Sequence, residues 1–323
     1  MNFFLPVRIP YLKPAIGYED KIYLIGSCFT EHVTGFFRKA KFQVEENAHG
    51  ILFNPLSVCK SLDDVVEKKV YTEHDIFLLD EYWHSWFHHS DFSDLDKDIV
   101  LEKINTTIES HHQFLKEAKY LIITLGSAFA YKLIEKDMYV SNNHRAPHGC
   151  FRKDLLSAET IKNELENLQN KLSAFNAGVK IIFTISPVRH SRDGVTENNR
   201  SKARLIEAVH SMSDCYYFPS YELVIDELRD YRFYDADLVH PNYAATQYVW
   251  EKFVTHCIDA NCHDTMKEME EIYRAFYHKP KSTHSAAHKV FLDSFYKKTK
   301  ALHEKFPFLD FEKELAYFKS QSR

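Results

Sequence analysis

The chain has 323 residues, of which 45% are hydrophobic, and a formal net charge of −5, so it can bury a substantial core. No long basic block offers the phosphate-neutralising surface that nucleic acid requires. No apolar stretch approaches the ~20 residues needed to span a bilayer, and the start lacks a signal peptide's basic leader and apolar run. Six scattered cysteines without metal or framework spacing predict reduced thiols. We therefore expect a cytoplasmic protein that binds neither nucleic acid nor membrane.

Apolar strands and amphipathic helices alternate along the first 260 residues. The spacing predicts strands over 21–25, 120–125, 179–186 and 215–218, a hairpin over 128–140, and helices over 28–39, 97–116, 157–176, 197–211 and 242–258. Strands that are apolar throughout indicate a mainly parallel sheet covered on both faces. The prediction is an α/β fold, in which ligands collect at the carboxyl ends of the strands.

The pattern changes beyond about residue 259. No glycine follows Gly194, and the tail is rich in Lys, Glu, His and aromatic residues. Helices are predicted over 266–277 and 286–305. We expect one domain over residues 1–259 and a helical C-terminal extension over 260–323, packed on that domain or on a partner subunit of a homo-oligomer.

Ser27 lies where the first predicted strand turns into a helix, directly after Gly26. This position exposes a hydroxyl beside N–H groups that the first helical turn leaves unpaired. Those donors and the helix dipole can stabilise an oxyanion. Serine is also a favoured helix N-cap, so the tripeptide alone more often indicates capping than catalysis.

Asp237 and His240 precede the last helix of the predicted domain. A serine hydroxyl is a poor nucleophile until a base takes its proton, and the imidazole needs a carboxylate to hold its tautomer. Their spacing on one tight turn lets both side chains point the same way, and Pro241 can start the following helix. The alternative is a capping cluster with a solvated histidine.

An early Gly-Ser combined with a late Asp-x-x-His-Pro resembles the SGNH/GDSL hydrolases. Residues 26–30, Gly-Ser-Cys-Phe-Thr, resemble the signature of the GSCFA family, a branch of that superfamily, with Thr30 in place of alanine. The resemblance covers about residues 20–255 through further blocks at Asn54-Pro55, 124–127, Asn142 with His144, 186–190 and 219–240.

The resemblance implies a three-layer α/β/α, flavodoxin-like fold of the SGNH hydrolase type. It also implies a serine esterase with Ser27 as nucleophile, His240 as base and Asp237 as the residue that orients it. The reaction would pass through acyl-Ser27 on a small-molecule or carbohydrate ester, with a short acyl or acetyl group. No metal or organic cofactor is needed. Oxyanion donors would include the amide of Ser27 and a glycine, for which Gly50 is the candidate.

The superfamily's Gly-x-Asn-Asp block is replaced here by residues 126–129, Gly-Ser-Ala-Phe, which carry no amide side chain. Ser127, the Gly126–Ser127 backbone, Asn54 or Asn142 could supply the missing donor. Losing one such donor typically costs ~10²–10³ in rate. The missing asparagine motivates the alternative of a weak or inactive hydrolase fold that serves as a ligand-binding or scaffold protein.

Five further residues are predicted to contact the substrate: Asn54, His88, His144, Arg189 and His190. Arg189 and His190 follow the third predicted strand, where an arginine can hold a carboxylate or phosphate, or form a salt bridge. His144 belongs to a polar cluster after the hairpin, with Asn142 and Arg145, for which a structural role is the alternative.

The segment 82–89 is rich in aromatic residues and histidines. On a helix, His84 and His88 could share a metal. An extended segment is favoured instead, in which they lie roughly 13 Å apart at ~3.3 Å per residue. The segment then forms an aromatic wall of the substrate pocket or packs in the ordinary way. A metal-dependent hydrolase that uses His84, His88 and His89 is the second alternative to the serine esterase.

Overall fold

The computed structural model describes residues 5–283 and 285–320, and a five-stranded sheet forms its centre. The strands, in chain order, are β1 (Lys21–Gly26), β2 (Gln43–Glu46), β3 (Phe77–Leu79), β4 (Tyr82–His84), β5 (Tyr120–Leu125), β6 (Phe129–Leu133), β7 (Met138–Val140), β8 (Phe151–Leu155), β9 (Lys180–Ile185) and β10 (Tyr216–Phe218). The α-helices are α1 (Cys28–Lys39), α2 (Pro55–Glu67), α3 (Lys97–Glu117), α4 (Ala158–Phe175), α5 (Val195–His210), α6 (Ser220–Glu222), α7 (Tyr243–Cys257), α8 (His263–Phe276), α9 (Ala286–Lys305) and α10 (Glu312–Ser320).

The central sheet has the order β10-β9-β5-β1-β2, and all of its strand pairs are parallel. The prediction of an α/β fold with a mainly parallel sheet is therefore confirmed. Two small antiparallel sheets lie outside it, β3-β4 and β7-β6-β8. The β6–β7 pair is the hairpin expected over 128–140.

Alternate side chains of the central strands enter two separate apolar layers. Ile22, Leu24 and Ile122 face one layer, which contains α1 and α7. Tyr23 and Ile123 face the other layer, which contains α2, α4 and α5. Full burial of one such side chain stabilises the fold by ~1.5–3 kcal/mol, so both faces of the sheet need their helices.

Several segments differ from the sequence-based expectation. β2 was not predicted because its sequence, Gln-Val-Glu-Glu, is half-buried and lacks an apolar run. α2 was not predicted either, although an asparagine cap and a proline at its first position mark its start. The expectation of an extended chain over 82–89 was wrong beyond His84, because β4 ends there and the chain turns.

The C-terminal helices α8, α9 and α10 pack on the α1–α7 side of the sheet. Buried residues of these helices and their connections, Met269, Leu292, Phe311 and Phe318, share one apolar cluster with Phe37 of α1. The helix expected over 286–305 has those bounds, and α10 was not expected. Within residues 5–283 and 285–320, no helix combines the length and apolarity that crossing a membrane requires.

Candidate active site

Ser27 occupies the N-cap position of α1 without acting as a cap. Its hydroxyl makes no capping hydrogen bond, whereas the side chains of Asn54, Ser157 and Asn242 do cap their helices. Ser27 is 1% exposed, and its Oγ has no hydrogen-bond partner. Buried polar groups are normally satisfied, whereas this hydroxyl takes no part in holding the turn together.

Gly26 lets β1 approach β5 closely just before the serine. Its φ is +141°, and a Cβ built on it would lie 2.1 Å from the Thr124 carbonyl oxygen. No other residue fits this backbone, because both the conformation and the space exclude a side chain. The close contact between Gly26 and Thr124 therefore fixes the position at which the chain leaves the sheet at Ser27.

The chain after β5 and the loop before α2 enclose Ser27. A Cβ on Gly126 would lie 3.3 Å from the Ser27 Cβ and 3.2 Å from the Phe53 carbonyl oxygen. That carbonyl accepts the N–H groups of Gly126 at 2.9 Å and Ser127 at 2.8 Å. Leu52 N–H donates to the Gly26 carbonyl at 2.9 Å. The segment carrying Leu52 and Phe53 therefore lies against the serine turn.

Asp237 and His240 form the predicted pair. Asp237 Oδ2 lies 2.6 Å from His240 Nδ1, and Asp237 Oδ1 accepts the N–H groups of Val239 at 2.9 Å and His240 at 3.0 Å. These hydrogen bonds lower the pKa of Asp237 to about 2. The carboxylate is therefore ionised near neutral pH and holds the Nδ1–H tautomer of the imidazole, which leaves Nε2 free to accept a proton.

The turn between these two residues contains Leu238 in the left-handed region, at φ +59°. A non-glycine residue there costs of order 1–3 kcal/mol and persists only where its surroundings impose it. Arg189 imposes it by donating its backbone N–H to the Val239 carbonyl at 3.2 Å and its Nη1–H to the Leu238 carbonyl at 3.2 Å. The same guanidinium lies over the ring of Tyr234, 4.1 Å from its centroid.

Ser27 and His240 belong to one continuous set of contacts at the carboxyl edge of the sheet. Phe53, which lies against the serine turn, meets the His190 ring edge-on with centroids 5.6 Å apart. His190 follows Arg189, which holds the Asp237–His240 turn. Burial lowers the pKa of His32 on α1, and the charge of His240 lowers it further. The structure contains no hydrogen bond between Ser27 Oγ and His240.

The predicted backbone oxyanion donors already have partners. The Ser27 N–H donates to the Thr124 carbonyl at 3.2 Å. The Gly50 N–H donates to the Asn47 carbonyl at 2.7 Å, within one turn. The Ser127 N–H is held by Phe53, and its hydroxyl lies 3.3 Å from Ser201 Oγ. These N–H groups are therefore not free donors in this structure.

The two candidate amide side chains are also engaged. Asn142 Nδ2 donates to Ser90 Oγ at 3.3 Å, while its Oδ1 accepts the His144 N–H at 2.9 Å. Asn54 Oδ1 accepts the Ser57 N–H at 3.0 Å, and its Nδ2 donates to Ser57 Oγ at 2.9 Å. Asn54 is thus the N-cap of α2, and its roles in substrate binding and as an oxyanion donor stay predictions.

His88 and His144 are packed away from solvent. His88 is fully buried against His49, with ring centroids 3.9 Å apart, and its Nδ1 meets Ser85 Oγ at 2.9 Å. His144 Nε2 donates to the Ser85 carbonyl at 2.8 Å, and burial lowers its pKa to about 4. Both rings therefore take part in a buried polar cluster, and their contact with substrate stays a prediction.

The histidines of the segment 82–89 do not converge. His84 Nδ1 meets Ser93 Oγ at 2.7 Å, and His89 faces Asp91 at 3.0 Å, while His88 is buried as described. In the part of the chain that the structure describes, no group of three or more His, Cys, Asp or Glu residues is arranged to hold a metal ion. The metal-dependent alternative therefore has no site among those residues.

Lys202 was not predicted from the sequence, because it resembles a surface cation of an amphipathic helix. It is 1% exposed, and its Nζ donates to the Gly126 carbonyl at 2.6 Å and the Ser186 carbonyl at 2.7 Å. It thus joins the loops that follow β5 and β9. Burial lowers the pKa of Lys202 to about 7.

The low pKa of Lys202 predicts a pH-dependent stability. Between pH 7 and 10 the unfolded chain binds a proton at this lysine that the folded chain releases, so its contribution to stability rises with pH. In urea titrations, the difference in unfolding free energy between the wild type and Lys202→Met should change by about 1.4 kcal/mol per pH unit in this window. A difference independent of pH would contradict the assignment.

The chain is an α/β protein, and the loops that follow β1, β5 and β9 form, with the Asp237–His240 turn, a candidate site around Ser27 at the carboxyl edge of its sheet. The sequence matches the profile of the GSCFA family over residues 21–253 and that of the GSCFA domain protein, C-terminal domain, over residues 269–323. The chain therefore belongs to the GSCFA family. No curated protein matches its sequence.

Proposed function

We propose that the protein is a serine hydrolase that cleaves carboxylic esters through an acyl-Ser27 intermediate. The observation that carries the proposal is the uncommitted hydroxyl of Ser27 at the start of α1, on the sheet edge that also holds the paired Asp237 and His240. A nucleophile, a base and an orienting carboxylate are the three parts that acyl transfer needs.

The proposed reaction has two steps. Ser27 Oγ attacks the ester carbonyl while His240 Nε2 takes its proton, and the carbonyl electron pair moves onto oxygen. As that oxyanion collapses, the ester C–O bond breaks and His240 protonates the leaving alcohol. Water then attacks the acyl carbon and gives a proton to His240. As the bond between the acyl carbon and Ser27 Oγ breaks, His240 returns that proton to Oγ and the acid is released. Asp237 stays ionised throughout and stabilises the imidazolium.

The SGNH/GDSL placement is part of the proposal. Taken in chain order, the five strands of the central sheet lie in the order 2-1-3-4-5, as in flavodoxin-like folds. Helices on both faces make the three layers. The proposed substrate is a small-molecule or carbohydrate ester with a short acyl group, and no cofactor takes part.

Substrate entry in this scheme requires the segment that carries Phe53 to move. Ser27 is enclosed, and that segment is hydrogen-bonded to Gly26 and Gly126 beside it. Catalytic hydrogen bonds are often unformed without substrate and tighten when it binds, which accounts for the missing Ser27–His240 contact. Phe53 itself is 37% exposed, so its ring is accessible to a ligand.

The same enclosure favours a second candidate function, that of a ligand-binding or scaffold protein on a hydrolase fold. In that case Ser27 would be structural, and the exposed Asp237–His240 turn would have no nucleophile to activate. A fluorophosphonate probe separates the two candidates. The enzyme should acquire one phosphonyl adduct on Ser27, located by peptide mass spectrometry, with loss of fluoride. An unmodified Ser27 after prolonged incubation would favour the binding protein.

A further inference from the structure

Asn47 lies at the carboxyl end of β2, beside the glycine that precedes Ser27. Its backbone N–H donates to the Leu24 carbonyl at 3.0 Å, and its Oδ1 accepts the Gly26 N–H at 2.8 Å. The side chain thus continues the hydrogen bonding between β1 and β2 where the β2 backbone turns away. This places the carboxamide at the serine turn.

The other end of that carboxamide is unsatisfied. Asn47 is 8% exposed, and its Nδ2 is buried without a hydrogen-bond partner. Leaving a buried donor unpaired destabilises the folded chain, and a hydrogen-bond acceptor that arrives with a ligand would satisfy this amide. Ser27 Oγ is also buried and unpaired. Two orphaned polar groups therefore lie at the same turn.

We infer that Asn47 is a catalytic residue whose Nδ2 donates a hydrogen bond to the oxyanion formed on the substrate carbonyl. The inference rests on the proposed function, since the oxyanion exists only if Ser27 attacks an acyl group. The proton stays on Nδ2 while the carbonyl electron pair moves onto oxygen, so the group acts by charge stabilisation alone. Asn47 thereby supplies the amide that the segment after β5 lacks.

The conformation of Asn47 suits this role. Its φ is +54°, in the left-handed region that asparagine, aspartate and glycine adopt most readily. The hydrogen bond from Gly26 N–H fixes the rotation of the carboxamide about its last torsion. A donor held in this way needs little reorganisation when charge develops, which makes oxyanion stabilisation effective.

Two substitutions test whether Asn47 acts as a hydrogen-bond donor to substrate or only holds the turn together. Both new residues tolerate the left-handed backbone at this position. Asn47→Asp keeps an oxygen for the Gly26 N–H but loses the Nδ2 donor, whereas Asn47→Gly loses both. At pH 8, both variants should lower kcat for p-nitrophenyl acetate by ~10²–10³-fold. KM should change little, because the donor acts in the transition state. Asn47→Gly should also lower the unfolding midpoint, because it leaves the Gly26 N–H unpaired.

Asn105→Asp is the matched control. Asn105 Oδ1 also accepts a backbone N–H, from Tyr71 at 2.8 Å, but its Nδ2 already donates to the Tyr71 carbonyl at 3.0 Å. This variant should keep the wild-type kcat. An Asn47→Asp variant with wild-type kcat would overturn the role of Asn47 and leave the esterase proposal standing. A wild-type protein that neither hydrolyses the ester nor takes up the fluorophosphonate would overturn both.

Discussion

Replacing Ser27 with alanine should lower the turnover of p-nitrophenyl acetate by about 10⁴–10⁶-fold, the range seen when a triad nucleophile is removed. The fold should be unaffected, because the hydroxyl caps nothing and has no hydrogen-bond partner. Initial rates at saturating ester and a urea denaturation curve measure the two quantities on the same sample.

Ser157→Ala is the matched control, because Ser157 also stands at a helix N-cap but its Oγ accepts the Thr160 N–H at 3.0 Å. Its loss should cost ~1 kcal/mol of stability and leave turnover unchanged. The two alanine variants should therefore show opposite patterns. A Ser27→Ala protein that keeps its activity would show that another residue performs the chemistry.

Replacing Asp237 with asparagine should lower kcat by ~10⁴-fold. An amide in place of the carboxylate no longer stabilises the imidazolium, and it can hold the wrong tautomer of His240. The Val239 and His240 N–H groups still find an acceptor, so the turn should keep its shape. The pKa of Asp237 is about 2, so this carboxylate stays ionised from pH 4 to 9. The deficit of the variant should therefore persist across that pH range.

Asp235→Asn provides the control for that experiment. Asp235 lies on the same loop and contacts His240 through its backbone, where its N–H donates to the His240 carbonyl at 2.8 Å. Its substitution removes an equal charge nearby and should lower kcat little. If both aspartate variants lose activity to the same extent, the effect belongs to the local charge and not to the orientation of His240.

The regular parts of the fold follow from patterns of a few residues. Apolar runs such as 120–125 predict buried parallel strands, and the structure places β5 there with every residue buried. The helix over 28–39 has the predicted bounds. β2 escapes such reasoning because its sequence is polar, and its strand character comes from pairing with β1.

The candidate site could be predicted only where a local motif carries it. Ser27 stands out because it comes directly after Gly26, and Asp237 and His240 stand out because they precede Pro241 at the start of a helix. Lys202 and Asn47 do not, because their surroundings come from segments distant in the chain: Lys202 meets Gly126 and Ser186. An unpaired buried amide is visible only once the fold is known. The hydrogen bonds of Asn54 are likewise visible only in the folded chain, where both its Oδ1 and its Nδ2 bind Ser57 at the start of α2.

A double-variant cycle on p-nitrophenyl acetate hydrolysis tests most directly whether Ser27 and His240 work as one unit. Groups that act together are grossly non-additive, so Ser27→Ala, His240→Ala and the combined variant should all have nearly the same residual rate. Single-variant losses that multiply in the combined protein would mean that the serine and the histidine act independently, and the acyl-Ser27 mechanism would have to be abandoned.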